Sequence, residues 1–189
     1  MKHKLQSRGQ KSGNSSEESE FEAKLLDAIQ TAEAGHPDRA LAELARLQLN
    51  TDAVRNARGV CLIRIGRYDD AIQMFRRLVL APGCTWMKTD LPVIYRTNFC
   101  TALLLGGHPA GGYDCLCEIS ERNHPSVTRL HAAVKQWERS LSWWPRLLWK
   151  LGVDPGASIE VEFTPGEFFE PSLDPPAEPR KDGSRPRAA

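Results

Sequence analysis

Asn56-Ala57-Arg58-Gly59-Val60-Cys61-Leu62-Ile63-Arg64-Ile65-Gly66-Arg67-Tyr68-Asp69-Asp70-Ala71-Ile72-Gln73-Met74-Phe75 is the stretch on which the fold turns. Gly59 and Ala71 are small residues on either side of a Gly66-Arg67-Tyr68 turn, and Phe75 follows Ala71 by one helical turn. Small side chains at matched places on two successive helices let the backbones approach closely, and an apolar residue four positions later fills the next layer. The stretch therefore predicts two packed helices, spanning 52–65 and 69–80.

The same phrase occurs on both sides of it. Anchored on Gly35, Gly66 and Gly107, each copy has a small residue five positions on, Ala40, Ala71 or Gly112. An apolar residue stands nine positions on, Leu44, Phe75 or Leu116, and another small residue seven positions back, Ala28, Gly59 or Cys100. A helix-turn-helix unit repeated in this way buries its faces by stacking on its neighbours.

These residues resemble the tetratricopeptide repeat (TPR), most closely from Asn56 to Pro82, with degenerate copies on either side covering roughly residues 21 to 123. The anchors are 31 and then 41 positions apart, against a family period of about 34. The longer interval predicts an inserted connection around 81–92. The resemblance implies an all-α fold: a short TPR-like solenoid of about three helical hairpins, with a capping helix and a small C-terminal extension.

Around this unit the chain divides simply. Residues 1–20 are rich in Ser, Gly, Lys and Glu and lack apolar anchors, so they are expected to be a disordered tail. A TPR-like helical domain is expected over 21–141. Its third hairpin spans 93–105 and 110–121, and its capping helix follows Pro125 with the stripe Val127, Leu130, Val134, Trp137 and Leu141. Residues 142–169 form a Trp-rich extension, with a short helix stopped by Gly152 and a strand expected from the alternation of Ile159, Val161 and Phe163 with Glu160 and Glu162. Thr164-Pro165-Gly166 reads as a turn, and 170–189 as a disordered tail of proline and charge.

With a net charge of +1, nothing global attracts nucleic acid or an anionic membrane. Five cysteines, an odd number, fit no disulfide framework and are expected as reduced thiols in a cytoplasm. The first residues do not read as a secretory signal, and no apolar run approaches the ~20 residues that span a bilayer.

Chemistry-bearing motifs are sparse. Cys115-x-Cys117 with His124 and His131 offers zinc-type ligands, but two positions on a helix point about 200° apart, so buried structural thiols are the preferred reading and no metal is expected. The glycine pairs at 106–107 and 111–112 lack the Lys and Ser/Thr of a phosphate loop. No nucleophile elbow or metalloprotease motif is present. The chain is accordingly expected to be non-catalytic and free of cofactors.

The resemblance implies that the first helix of each repeat lines an inner groove. Candidates there are Asn56, Val60, Ile63 and Arg64, with Leu25, Ile29, Asn98, Thr101 and Leu105 in the outer units. An Asn carboxamide both donates and accepts, so it can grip the backbone of an extended peptide. Arg64 can pair with a carboxylate. The expected function is an adaptor or assembly factor holding a peptide or helix of another protein.

Two alternatives stand beside it. Trp143, Trp144 and Trp149, flanked by Arg146 and Lys150, suit a membrane interface, although core packing is the preferred reading of these rings. The same extension could instead fold back over the groove. In the second alternative, copies of the chain self-associate through the 159–163 edge strand.

Overall fold

The computed structural model describes residues 10–47, 50–156 and 159–171, with side chains from residue 17 onward. Eight helices account for its regular structure: α1 Gln10–Glu33, α2 Pro37–Arg46, α3 Asp52–Arg64, α4 Tyr68–Val79, α5 Val93–Leu105, α6 Pro109–Glu118, α7 Pro125–Ser140 and α8 Trp143–Lys150.

The three anchor glycines end α1, α3 and α5 by one mechanism. Gly35, Gly66 and Gly107 adopt φ of 91°, 77° and 81°, the left-handed region in which a Cβ is strained. The following N–H then reaches back to a carbonyl in the last turn: His36 to Thr31 at 3.1 Å, Arg67 to Leu62 at 2.9 Å and His108 to Leu103 at 2.9 Å. Pro37 and Pro109 open α2 and α6, where a missing N–H costs nothing.

Each helix packs on the next in chain order from α1 to α8, and the alternate helices meet as well: α1 with α3, α3 with α5, α5 with α7. All nine residues of the recurring small and apolar pattern are buried. A Cβ at Gly59 would stand 2.4 Å from the Phe75 ring, and one at Gly112 would stand 2.8 Å from Leu104 Cγ. Those two glycines therefore set how closely α3 approaches α4 and α5 approaches α6. The five-residue stripe of α7 is also buried and closes the stack.

The inserted connection lies where the spacing places it, between α4 and α5. Leu80 and Met87 form an antiparallel bridge, supported by Ala81 N–H to the Trp86 carbonyl at 3.2 Å and Lys88 N–H to the Val79 carbonyl at 2.8 Å. Buried Met87 anchors this excursion.

Three sequence expectations are corrected. α1 starts at Gln10 rather than near Phe21, and its early turns are exposed at 17–20, where Lys24 pairs with Glu20 at 2.7 Å. Elongating an existing helix needs little from tertiary packing, so polar residues suffice there. α6 stops at Glu118, because Ile119 turns extended and buries its side chain in the core. The strand expected at 159–163 is not formed, and no strand exists among the described residues. The expected tails at 1–9 and 172–189 lie outside the described residues.

Candidate functional site

The site is built on α3, α5 and α7, which lie side by side. Asn56 of α3 and Asn98 of α5 are only 1% and 2% exposed, and Asn98 Nδ2 donates to Asn56 Oδ1 at 2.8 Å. Burying two carboxamides is costly unless their donors and acceptors are used. What uses them is the chain's own residues 159–171, laid across the face without regular secondary structure.

Asn98 reads both backbone groups of one residue. Its Nδ2 donates to the Glu167 carbonyl at 2.8 Å, and its Oδ1 accepts the Glu167 N–H at 2.9 Å. Asn56 Nδ2 donates to the same carbonyl at 3.2 Å and to the Phe168 carbonyl at 3.4 Å. A neighbouring strand would supply the same pattern of contacts, and here two side-chain amides supply it.

Arg64 extends the grip toward the N-terminal side. Its Nε and Nη2 donate to the carbonyls of Pro165 and Gly166 at 3.3 and 3.1 Å, while Glu33 at 3.0 Å holds the guanidinium in place. The guanidinium carbon lies 4.6 Å from the centre of the Phe168 ring, a cation-π contact over a buried aromatic. Val60 forms the floor beneath Gly166. Thr101 is buried beside Gly166 and Glu167, with its hydroxyl donating to the Thr97 carbonyl at 2.8 Å. Ile63 is buried in the hydrophobic core.

α7 contributes the part that the sequence reading missed. Arg129 and Ser126 both bond the Glu167 carboxylate, and Arg129 also lies 4.7 Å over the Phe163 ring. Burial pulls the Arg129 pKa below its ordinary value, which makes the facing carboxylate its natural counter-charge. His124 Nε2 meets Glu170 at 2.8 Å, and the other Glu170 oxygen accepts the Ile94 N–H at 3.3 Å. Pro92, which precedes α5, offers no side-chain cap, so Glu170 caps this helix from outside. Glu170 is thus held at the site, not part of the loose tail expected from 170 onward. In sequence His124 stands out only as a zinc-type ligand, and Ser126 and Arg129 carry no signal. The one sequence signal was the run Gly166-Glu167-Phe168-Phe169-Glu170, in which acids flank aromatics after a glycine.

The Trp cluster separates into two kinds of ring. Trp149 packs edge-on against Trp137 at 5.0 Å and tilts over Tyr113 at 5.5 Å, so it fastens α8 to the body. Trp143 and Trp144 are exposed. Residues 159–171 lie over α3, α5 and α7, while α8 itself packs on α7. Cys61 and Cys100 are buried, and Cys115 and Cys117 are half-buried, more open than the sequence implied. Burial pushes the Cys61 thiol up to about 12 and Cys115 to about 11, which leaves both protonated and weakly nucleophilic at neutral pH. Among the described residues no group of three or more His, Cys, Asp or Glu could hold a metal ion, and no helix is long and apolar enough to cross a membrane.

In comparisons with known proteins, no family model, no curated sequence and no solved structure matches the chain.

Proposed function

We propose that this protein is a non-catalytic protein-binding module, an adaptor or assembly factor. In this reading α1 to α6 form a TPR-like stack of three hairpins capped by α7, and the face of α3, α5 and α7 receives an extended segment of a partner protein. The observation that carries it is the Asn98 carboxamide bonded to both the N–H and the C=O of Glu167, with Asn56 on the same carbonyl. Such contacts hold any extended backbone in register, whatever chain supplies it. The chain's own 159–171 then acts as a resident occupant. Five unpaired cysteines support a reducing compartment such as the cytoplasm as its place of action.

The test is a photo-crosslinking residue in place of Gln136, an exposed α7 residue that bonds Glu162 of the covering segment at 2.8 Å, activated in the native cells. Adducts to a segment of another protein support the proposal. Adducts confined to the chain's own 159–171 refute it.

A second reading is favoured by the outer face of α8. Trp143 is 74% and Leu151 68% exposed, and with Leu147 they lie one helical turn apart on a single stripe beside Lys150. That stripe suits insertion of the rings at a lipid interface. Co-sedimentation with anionic vesicles that Trp143→Ala with Leu151→Ala leaves unchanged would dispose of it. Self-association through an edge strand at 159–163 loses its structural element, because that segment is not a strand.

A further inference from the structure

We propose, resting on the groove reading above, that the partner segment has the pattern glycine, acid, aromatic, any residue, acid, and that residues 166–170 are its built-in competitor. Each position of the pattern is set by a different feature of the groove.

The first position needs glycine for two independent reasons. Gly166 has φ of 81°, and a Cβ there would stand 3.0 and 3.3 Å from the two Val60 methyl carbons. A side chain would be strained in conformation and crowded in space. The second position needs a carboxylate, since Glu167 faces Arg129 and Ser126 together while its backbone is held by Asn98. The third needs an aromatic: Phe168 is 7% exposed and lies under the Arg64 guanidinium. The fourth is free, because Phe169 is 57% exposed. The fifth needs an acid that can reach both His124 and the uncapped N–H of Ile94.

Charge points the same way. The groove presents Arg64, Arg129, His124 and the positive end of α5, whereas residues 159–171 carry Glu160, Glu162, Glu167 and Glu170 and no Lys or Arg. A basic or purely apolar segment would leave Arg129 without its carboxylate partner and the Ile94 N–H without its cap. The resident segment is also built to exchange. It has no regular hydrogen-bond ladder of its own, and apart from Gly166 only Ile159 and Phe168 are buried in it. Being tethered, it competes at an effective concentration on the order of millimolar. A partner must match the pattern to displace it.

The experiment uses the full chain carrying Gly166→Val, which unseats the resident segment, and a labelled peptide of residues 163–171 read by fluorescence anisotropy. The peptide is expected to bind the variant at least tenfold more tightly than the native chain. Peptides with Glu167→Gln, Phe168→Ala, Glu170→Gln or Gly166→Val are expected to lose about tenfold or more each, as a charge-assisted contact or buried ring is worth. Phe169→Ala should change little. Limited proteolysis establishes whether the resident segment has left, and circular dichroism whether the helices remain. If Gly166→Val fails to fold, Glu167→Ala with Phe168→Ala unseats the segment by removing its anchors instead.

If all peptides bind the opened chain alike, the pattern is wrong while the groove reading stands. If no peptide binds a folded, opened chain, both fail. If Gly166→Val leaves the segment protected, the glycine requirement is wrong and the proposal falls with it.

Discussion

Replacing Gly59 with alanine is expected to destabilise the fold, although the same change elsewhere in a helix stabilises it. Alanine gains about 1 kcal/mol over glycine in a helix interior. At Gly59 the new carbon would stand 2.4 and 2.6 Å from Cζ and Cε2 of Phe75, where carbon atoms rest at about 3.5 to 4.0 Å. Phe75 is fully buried between α3 and α4, so its ring has no free space to retreat into. An overlap of this depth belongs at the upper end of the ~1–3 kcal/mol range for overpacking. Subtracting the propensity gain leaves a net loss of about 2 kcal/mol, or about 4–8 °C in Tm for a chain of this size.

Gly111→Ala is the control, since a Cβ there meets nothing within 4 Å; it should raise stability by up to about 1 kcal/mol. Urea titrations of both variants, with Phe75→Leu alone and combined with Gly59→Ala, give the answer. The double variant should recover about 1 kcal/mol or more as coupling between two touching sites. If Gly59→Ala matches Gly111→Ala in sign, the close approach of α3 to α4 is not set by that glycine and the reasoning is refuted.

Two further outcomes follow from other contacts. Arg96, almost fully buried, grips Glu121 with two hydrogen bonds of 2.6 and 3.1 Å, which lowers the Glu121 carboxyl from the ordinary 4.5 to about 2. Its folded value lies below its unfolded one, so the stabilisation is fully present above pH 4.5 and is lost as pH falls toward 2. Because the carboxylate is partly exposed, the gap between native and Glu121→Gln chains at pH 7 is expected to be about 1 kcal/mol. Thermal melts should show that gap closing between pH 4.5 and 2, and a constant gap would refute the assignment. Trp149→Ala removes the stack on Trp137 and Tyr113 and should cost about 2 kcal/mol, from lost ring contacts and area. The loss is expected as faster amide exchange in α8, while Trp143→Ala leaves exchange unchanged; equal effects would place the fastening of α8 elsewhere.

Much of the helical framework is legible because its causes are local. A left-handed glycine, a proline opening a helix and a 3.6-residue apolar period act within one or two turns, so Gly66, Pro109 and the α7 stripe can be read without knowing the tertiary structure. The same repeat register picks out Asn56, Arg64 and Asn98, and all three bond the chain's own segment at 165–168. The alternation at 159–163 also reflects something real: Ile159 is buried while Glu160 and Glu162 face solvent. It does not make a strand, because periodicity reports which side chains turn inward, not what the backbone bonds to.

What only the tertiary structure decided is the identity of the occupant and the contribution of α7. Asn98 and Glu167 are 69 residues apart in the chain, and Ser126 is 41 from Glu167. Contacts across such separations depend on the path of the connecting loops and the stacking of helices between them, and no period or propensity encodes that path. The sequence by itself therefore determined the helices that pack in chain order and the two amides, Asn56 and Asn98, that they carry. The fold alone brought Arg129, Ser126 and His124 opposite an acidic, aromatic segment and laid that segment across α3, α5 and α7.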